Sequence, residues 1–80
     1  MEIKKFFVYN FYMIKIFCER LKELRIEKNL STTKLADAIG VSDAEISRWE
    51  NGLRTPIIDN LLALAKFFDV SSDYLLGLEN

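Results

Sequence analysis

The feature that most restricts this chain is a series of residues that end helices. From residue 17 onward the apolar residues recur at the three- and four-residue spacing of an amphipathic helix. That spacing is interrupted at Asn29, Gly40, the pair Asn51-Gly52 and Gly77. Gly and Asn tolerate the left-handed conformation in which many helices end. Because no strand pattern follows residue 17, the sequence predicts an all-α domain of five helices joined by short turns.

Residues that favour helix starts follow these stops. Ser31 precedes the predicted second helix, and Ser42 begins a capping box with Glu45 at the start of the third. Thr55 and Pro56 are predicted to open the fourth helix, because a hydroxyl caps well and proline fits the first turn. Each predicted helix is therefore bounded by local chemistry as well as by its apolar spacing.

The third predicted helix has two faces of different character. At 100° per residue, Ile46, Trp49 and Glu50 share one side, which we expect to face the core. A carboxylate on that side needs a cationic partner. The opposite side carries small and polar residues, namely Asp43, Ala44, Ser47 and Arg48. This helix is predicted to pack with one face and to present the other to solvent.

The fourth predicted helix is apolar around much of its circumference. The inward stripe is predicted to consist of Ile58, Leu61, Leu62, Ala65 and Phe68. Three further residues, Ile57, Leu64 and Phe67, widen the apolar arc to roughly 220°, against about 100° for an ordinary surface helix. We therefore expect another surface, such as a second copy of the chain, to cover the excess.

Composition excludes several catalytic and metal-binding chemistries. The chain has one Cys and no His, so it has no internal disulfide, no Cys/His zinc site and no histidine-dependent nucleophile. Its three glycines are isolated, which excludes a Gly-rich phosphate loop. We predict a protein that is not an enzyme and uses no metal or cofactor, and no small-molecule ligand is evident.

Charge is unevenly distributed along a chain whose formal net charge is only −1. Residues 1–28 carry 7 basic and 4 acidic groups, whereas residues 57–80 carry 1 basic and 4 acidic groups. A polyanion is therefore expected to approach the first half of the chain. The apolar N-terminus is interrupted by lysines and lacks a signal-peptide cleavage site, which predicts no membrane span and a cytoplasmic location.

The second and third predicted helices meet the steric needs of a helix-turn-helix. Ala36 is small where the two helices touch, and Gly40 permits a positive φ in the turn between them. The apolar anchors that hold the pair to the domain are Leu35, Ile39, Val41, Ile46 and Trp49. This arrangement leaves the outer face of the third helix free to fit a DNA major groove.

These residues carry a resemblance to a known family. The segments 46–52 (ISRWENG), 61–68 and 70–77 closely resemble the lambda-repressor-like helix-turn-helix domain, also called the XRE or Cro/cI type. The resemblance covers roughly residues 17–78. It implies a compact five-helix fold that binds operator DNA, usually as a dimer.

The resemblance also implies roles for individual residues. The start of the second helix lies over a phosphate, the third helix enters the major groove, and the loop after it holds a further phosphate. The implied DNA-binding residues are Thr32, Thr33, Ser42, Asp43, Ala44, Ser47, Arg48, Asn51 and Arg54. Arg25 and Glu50 match a structural ion pair that joins the first helix to the third.

The chain departs from the family pattern at several of these positions. Thr32 stands where many members have Gln, and Leu53 stands where many have Lys. Asp43 and Glu45 bring negative charge to the recognition helix, although an Asp can accept a hydrogen bond from cytosine N4. The departures bear on affinity and target sequence rather than on the fold.

Two functions from different classes follow from this sequence. The first is a sequence-specific double-stranded DNA-binding transcriptional regulator, most simply a repressor, that acts as a homodimer with the third helix in the major groove. The alternative is an antitoxin-like protein-interaction module built on the same scaffold, which the acidic balance and the spare apolar surface favour.

The N-terminal residues lie outside the resemblance. We divide the chain into an apolar extension, residues 1–14, and a helix-turn-helix domain, residues 15–80. Residues 3–9 are β-prone, and the first helix is expected to begin near Asn10. The extension is predicted to form either a strand or a lengthening of the first helix, and it could pair with a second copy or fold over the fourth helix. Alternatively, Met13 is the natural start of the protein.

Overall fold

The computed structural model describes residues 3–79, with side chains described from residue 11 onward, and this part of the chain contains five helices and no strand. The helices are α1 (Ile3–Glu27), α2 (Thr32–Ile39), α3 (Asp43–Glu50), α4 (Ile58–Phe68) and α5 (Ser72–Leu75). The prediction of an all-α, five-helix domain is confirmed.

A single hydrophobic core holds the helices together. α2 packs against α3, α1 packs against α3 and α5, and α4 packs against α2 and α5. The buried residues of the core are Phe17, Leu21, Leu35, Ala36, Ile46, Trp49, Leu64, Ala65, Phe68 and Leu75. The core therefore lies directly behind the helix-turn-helix, and it includes the predicted anchors Leu35, Ile46 and Trp49.

The predicted helix ends are present in the backbone. Asn29, Gly40 and Gly77 have φ values of 57°, 78° and 77°, so each adopts the left-handed conformation. Asp69 ends α4 in the same way with φ 55°. These reversals keep the connections short, and α2 packs directly against α3, as α4 does against α5.

Serine hydroxyls cap three helices. The Oγ atoms of Ser31 and Ser42 accept hydrogen bonds at 3.1 Å from the amides of Lys34 and Glu45. Ser71 caps α5 in the same manner. At Ser42 this is the first half of the predicted capping box, in which the hydroxyl satisfies one of the otherwise free amides of the first turn.

The predicted start of α4 is wrong. The helix begins at Ile58 with Ile57 at the N-cap, and no side chain caps it. Thr55 and Pro56 precede it in a segment without regular structure. The pattern misleads here because a capping hydroxyl followed by proline is also typical of extended chain entering a turn.

The predicted inward stripe of α4 is also partly wrong. Ile58 and Leu62 are 73% and 47% exposed, whereas Leu64 is fully buried. The buried face runs through Leu61, Leu64, Ala65 and Phe68, with Leu61 only partly buried. Because both sides of this helix are apolar, spacing alone could not select the side that faces the core.

α1 begins well before the predicted position near Asn10. Its backbone is helical from Ile3, so of the two alternatives for the extension, a strand or a lengthened first helix, the structure has the second. Once a helix is nucleated, each added residue gains a hydrogen bond without a new nucleation cost. Extension of α1 therefore outweighs the local β preference of its first residues.

Alanine substitutions at Gly40 and Gly77 are expected to show how much stability is lost to backbone strain and how much to steric crowding. A Cβ atom at Gly40 would meet nothing within 4 Å, whereas one at Gly77 would lie 2.9 Å from Cγ2 of Ile16. Gly40→Ala should lower the free energy of unfolding by about 1 kcal/mol through left-handed strain alone. Gly77→Ala should lower it by about 2–3 kcal/mol, because overpacking adds to the strain. Urea unfolding measures both values, and equal losses would contradict the assigned contact.

Candidate nucleic-acid interface

The outer face of α3 is exposed along its length. Asp43, Ala44, Ser47 and Arg48 are all exposed, as is the capping residue Ser42. Four of these five side chains are small or short, so a backbone or base edge can approach the helix closely. Arg48 is the long side chain of the group, and it lies in the last turn.

The opposite face of α3 fixes the orientation of this surface. Ile46 is fully buried and Trp49 is 1% exposed, and both belong to the central core. The Ser42 hydroxyl caps the first turn at 3.1 Å. The outer face therefore cannot rotate without breaking the core, which is what a surface that reads a rigid partner requires.

Arg25 and Glu50 form a bidentate ion pair behind α3. Arg25 Nε donates to Glu50 Oε2 at 2.6 Å, and Arg25 Nη2 donates to Oε1 at 2.9 Å. The remaining nitrogen, Nη1, donates to the carbonyl oxygen of Leu30 at 2.8 Å. The two side chains are only 14% and 6% exposed. The hydrogen bond with Glu50 raises the pKa of Arg25, and the pair ties α1 to α3.

Asn51 has a role within the protein at the end of α3. Its Nδ2 atom donates to the carbonyl oxygen of Ser47 at 2.8 Å and to the Ser47 hydroxyl oxygen at 3.3 Å. Because that hydroxyl accepts a hydrogen bond, its own proton is directed elsewhere. Asn51 therefore ties the end of α3 to Ser47, and a contact of Asn51 itself with phosphate stays a prediction.

The start of α2 is the other predicted phosphate site. Thr33 is exposed and Thr32 is half-buried. Lys34 is exposed as well, and it brings a positive charge to the first turn, where helix amides already favour an anion. Sequence reasoning missed Lys34, although it is the one basic residue of the α2 sequence.

The loop after α3 carries a cation and an apolar side chain. Gly52 has φ 72°, and the amide of Leu53 donates to the carbonyl oxygen of Arg48 at 2.9 Å. Leu53 is 77% exposed, and Arg54 is exposed beside it. Arg54 therefore lies where the family pattern expects a phosphate contact, whereas Leu53 contributes no charge.

Cys18 supports this loop from α1. A Cβ atom at Gly52 would lie 3.4 Å from its Sγ atom. Burial raises the pKa of the Cys18 thiol, although its backbone hydrogen bond opposes that rise. The thiol is therefore protonated near neutral pH and adds no negative charge next to the predicted phosphate contacts.

Membrane-spanning helices and metal-binding clusters are both missing from the described part of the chain. No helix there is long and apolar enough to cross a membrane. No cluster of three or more acidic or cysteine side chains there could hold a metal ion.

The comparison with protein families agrees with this geometry. A family model described as helix-turn-helix matches residues 21–75. The chain belongs to this helix-turn-helix family, in its lambda-repressor-like form. The match includes α2, α3 and the ion pair, but it leaves out the first eighteen residues of α1. The resemblance read from the sequence is thereby confirmed.

Curated relatives carry names of regulators. The uncharacterized HTH-type transcriptional regulator YobD of Bacillus subtilis is 38% identical over 63 residues, which cover 79% of this helix-turn-helix chain and 56% of the relative. The HTH-type transcriptional activator BcrR of Enterococcus faecalis is 43% identical over 63 residues, which cover 79% of this chain and 31% of the relative. The chain thus spans about half or less of these relatives.

A solved structure shares the fold over most of the helix-turn-helix domain. The P22 c2 repressor, crystallised in complex with synthetic operator 9T in the presence of Tl⁺, superposes with a TM-score of 0.75 at 36% identity. The alignment covers 79% of this chain and 96% of that chain. The fold of this domain is therefore one that occurs in a repressor–operator complex.

Proposed function

We propose that this helix-turn-helix chain binds double-stranded DNA with sequence specificity and regulates transcription as a homodimer. The observation that carries the proposal is the outer face of α3, exposed and lined by short polar groups and one arginine, on a helix whose other face is buried. An α-helix of this kind fits the width of the major groove. Two copies would read half-sites about one helical turn apart.

The proposed base contacts follow from the chemistry of each side chain. Arg48 can donate two hydrogen bonds to guanine O6 and N7, and Asp43 can accept one from cytosine N4. Ala44 offers a methyl contact to thymine, and the exposed Ser47 hydroxyl can donate to or accept from a base. The proposed contacts of the recognition helix are therefore with guanine, cytosine and thymine.

The proposed phosphate contacts flank the recognition helix. Thr32, Thr33 and Lys34 would bind one phosphate at the start of α2, where the helix amides point outward. Ser42, Asn51 and Arg54 would contact the backbone at the two ends of α3. Such contacts set the register of the protein on DNA and carry little sequence information themselves.

Repression is the simplest regulatory outcome for this domain. A compact DNA-binding domain can block a promoter by occupying it, with no further surface required. The names of the relatives include both an activator and a repressor. We place the chain in the cytoplasm or nucleoid as a protein that is not an enzyme, since its proposed activity is binding alone.

Arg48→Ala tests the proposed base contact. Loss of one bidentate contact should weaken binding to a selected specific duplex by about 1–3 kcal/mol, or roughly 5- to 150-fold. Lys66→Ala is the matched control, because Lys66 is an exposed cation on α4. A mobility-shift titration compares the two, and equal affinities for both variants and the wild type would remove Arg48 from the interface.

A protein-interaction module is the second candidate function. The exposed apolar side chains Leu53, Ile57 and Ile58 favour it, since they could dock a partner protein. Salt dependence separates the two functions. DNA binding through several phosphates should weaken steeply between 50 and 200 mM salt, with a slope of about −0.9 per phosphate contact. Docking through apolar surface would change little over the same range.

A further inference from the structure

The N-terminal part of α1 extends beyond the family domain, and the side chains described there, from residue 11 to residue 16, lie outside the buried core. α1 has 25 residues, which gives a helix of about 37 Å, comparable with the 41 Å long axis of the molecule. Its first buried residue in the described part is Phe17. Phe11 and Tyr12 are 74% and 57% exposed. Packing of an apolar face supplies most of the stability of helices in proteins, and Phe11 and Tyr12 gain little of it from their own chain.

An open apolar cleft lies where this segment leaves the domain. Met13, Ile14 and Phe17 of α1 form one wall, and the remaining lining residues are Thr55, Pro56, Leu61 and Leu76. The cleft encloses about 120 Å³, which is room for one aromatic or branched side chain. Ile57 and Ile58 directly follow Pro56 and are 66% and 73% exposed, so the apolar surface continues beyond the cleft.

We propose that a second copy of this chain covers this surface, with the N-terminal segment of α1 from each copy seated in the cleft of the other. The inference rests on the proposed homodimer and adds the element that forms it. Each chain carries both the exposed aromatic residues Phe11 and Tyr12 and an adjacent cleft, as a two-fold symmetric interface requires. One of the two aromatic side chains of Phe11 and Tyr12 would enter the partner's cleft, and the other would pack on Ile57.

Charge and area both favour a second copy as the occupant. Residues 3–18 carry three lysines and no acidic residue, whereas residues 57–80 carry one basic and four acidic residues. A two-fold arrangement brings the basic segment of each chain to the acidic end of the other, so the attraction acts twice. A stable dimer buries about 800 Å² per partner. Two aromatic residues of about 150–250 Å² each, with Ile57 and Ile58, supply a large share of that area.

The cleft is built from elements other than α3. The exposed face of α3 lies on a different helix from both walls of the cleft. Ile14 of the cleft wall also approaches Gly52 in the loop after α3, where a Cβ atom would lie 3.9 Å from it. The proposed interface therefore adjoins the loop that follows the recognition helix, and no residue that lines the cleft belongs to the outer face of that helix.

Sedimentation equilibrium of the full chain without DNA tests this proposal. The wild type should have twice the monomer mass of 9.3 kDa at micromolar concentration. Phe11→Glu and Ile57→Glu should each raise the dimer dissociation constant at least 100-fold, because each places a charge in an apolar contact. Ile26→Glu is the matched control, since Ile26 is a 55% exposed apolar residue at the other end of α1. Circular dichroism should show that all three variants keep the helical domain, with a small loss from the first turns of α1 in the two that dissociate, and Tyr12→Glu replaces Phe11→Glu if that variant unfolds.

Three results would overturn the proposal. The first is a monomeric wild type at 100 µM, and the second is a Phe11→Glu chain that dimerises as tightly as Ile26→Glu. The third is dissociation by Phe11→Glu but not by Ile57→Glu, which would mean that the segment pairs without the cleft. All of these measurements are independent of DNA. A dimeric chain that binds no duplex would instead refute the proposed function and leave this interface intact.

Discussion

Replacing Arg25 by Ala should lower the free energy of unfolding by about 3–5 kcal/mol. The substitution leaves the Glu50 carboxylate, whose side chain is only 6% exposed, without the two hydrogen bonds of 2.6 and 2.9 Å that it accepts. It also removes the donor to the Leu30 carbonyl oxygen. A domain of this size has a total stability of only about 4–12 kcal/mol. Urea unfolding followed by tryptophan fluorescence measures the loss.

A double substitution shows whether the loss comes from the unpaired charge. Arg25→Met combined with Glu50→Leu should restore most of the stability, since apolar residues of similar size often replace a buried ion pair at little cost. Lys22→Ala is the control, because Lys22 is an exposed cation on the same helix. An unchanged unfolding midpoint for Arg25→Ala would show that the pair contributes nothing to the fold.

A duplex that carries two inverted half-sites should bind about 100- to 10,000-fold more tightly than a duplex with one half-site. The proposed dimer presents two α3 helices, so binding of the first makes binding of the second effectively intramolecular. The gain depends on geometry, and the half-site centres must lie about 10–10.5 base pairs apart, or a multiple of that spacing. Mobility-shift titrations of the two duplexes at one salt concentration give the ratio.

The spacing of the half-sites is the control for this prediction. An insertion of five base pairs between them turns the second site to the opposite side of the helix, and the gain should then fall to about the value for two independent sites. Equal affinity for the correctly spaced, the misaligned and the single-site duplexes would contradict binding as a dimer.

The sequence predicts this fold well where its residues are compatible with only one local structure. Asn29 and Gly40 both stop helices in the left-handed conformation, as expected from residues that tolerate a positive φ. α3 shows the same agreement, because its apolar side chains occupy one face and its short polar side chains the other. Local residue preferences and tertiary packing favour the same conformation at these positions. The spacing of apolar residues is therefore sufficient to predict it.

The predictions fail where the pattern allows two equivalent solutions. Both sides of α4 are apolar, and packing against α2 and α5 buries Leu64 while it leaves Ile58 and Leu62 exposed. In α1 the first residues favour strand locally, but their backbone continues the helix that Phe17 and Leu21 anchor in the core. These outcomes depend on long-range contacts that no local window of sequence contains.

Some contacts in the candidate site could not be predicted from the sequence. The sequence pairs Arg25 with Glu50 through the family resemblance, but only the structure shows the additional hydrogen bond to Leu30. It equally shows that Asn51 donates to Ser47, and that Lys34 is exposed at the start of α2. Side-chain hydrogen bonds of this kind depend on rotamers and on neighbours brought together by folding.

Selection of bound sequences from a random duplex library tests the central claim, that the outer face of α3 reads the major groove. We expect the wild-type chain to enrich an inverted repeat whose half-site centres lie about one helical turn apart. Arg48→Ala should enrich the same repeat with specificity lost at one base pair in each half-site. Failure of the wild type to enrich any motif, or an identical motif at every position for Arg48→Ala, would contradict the account.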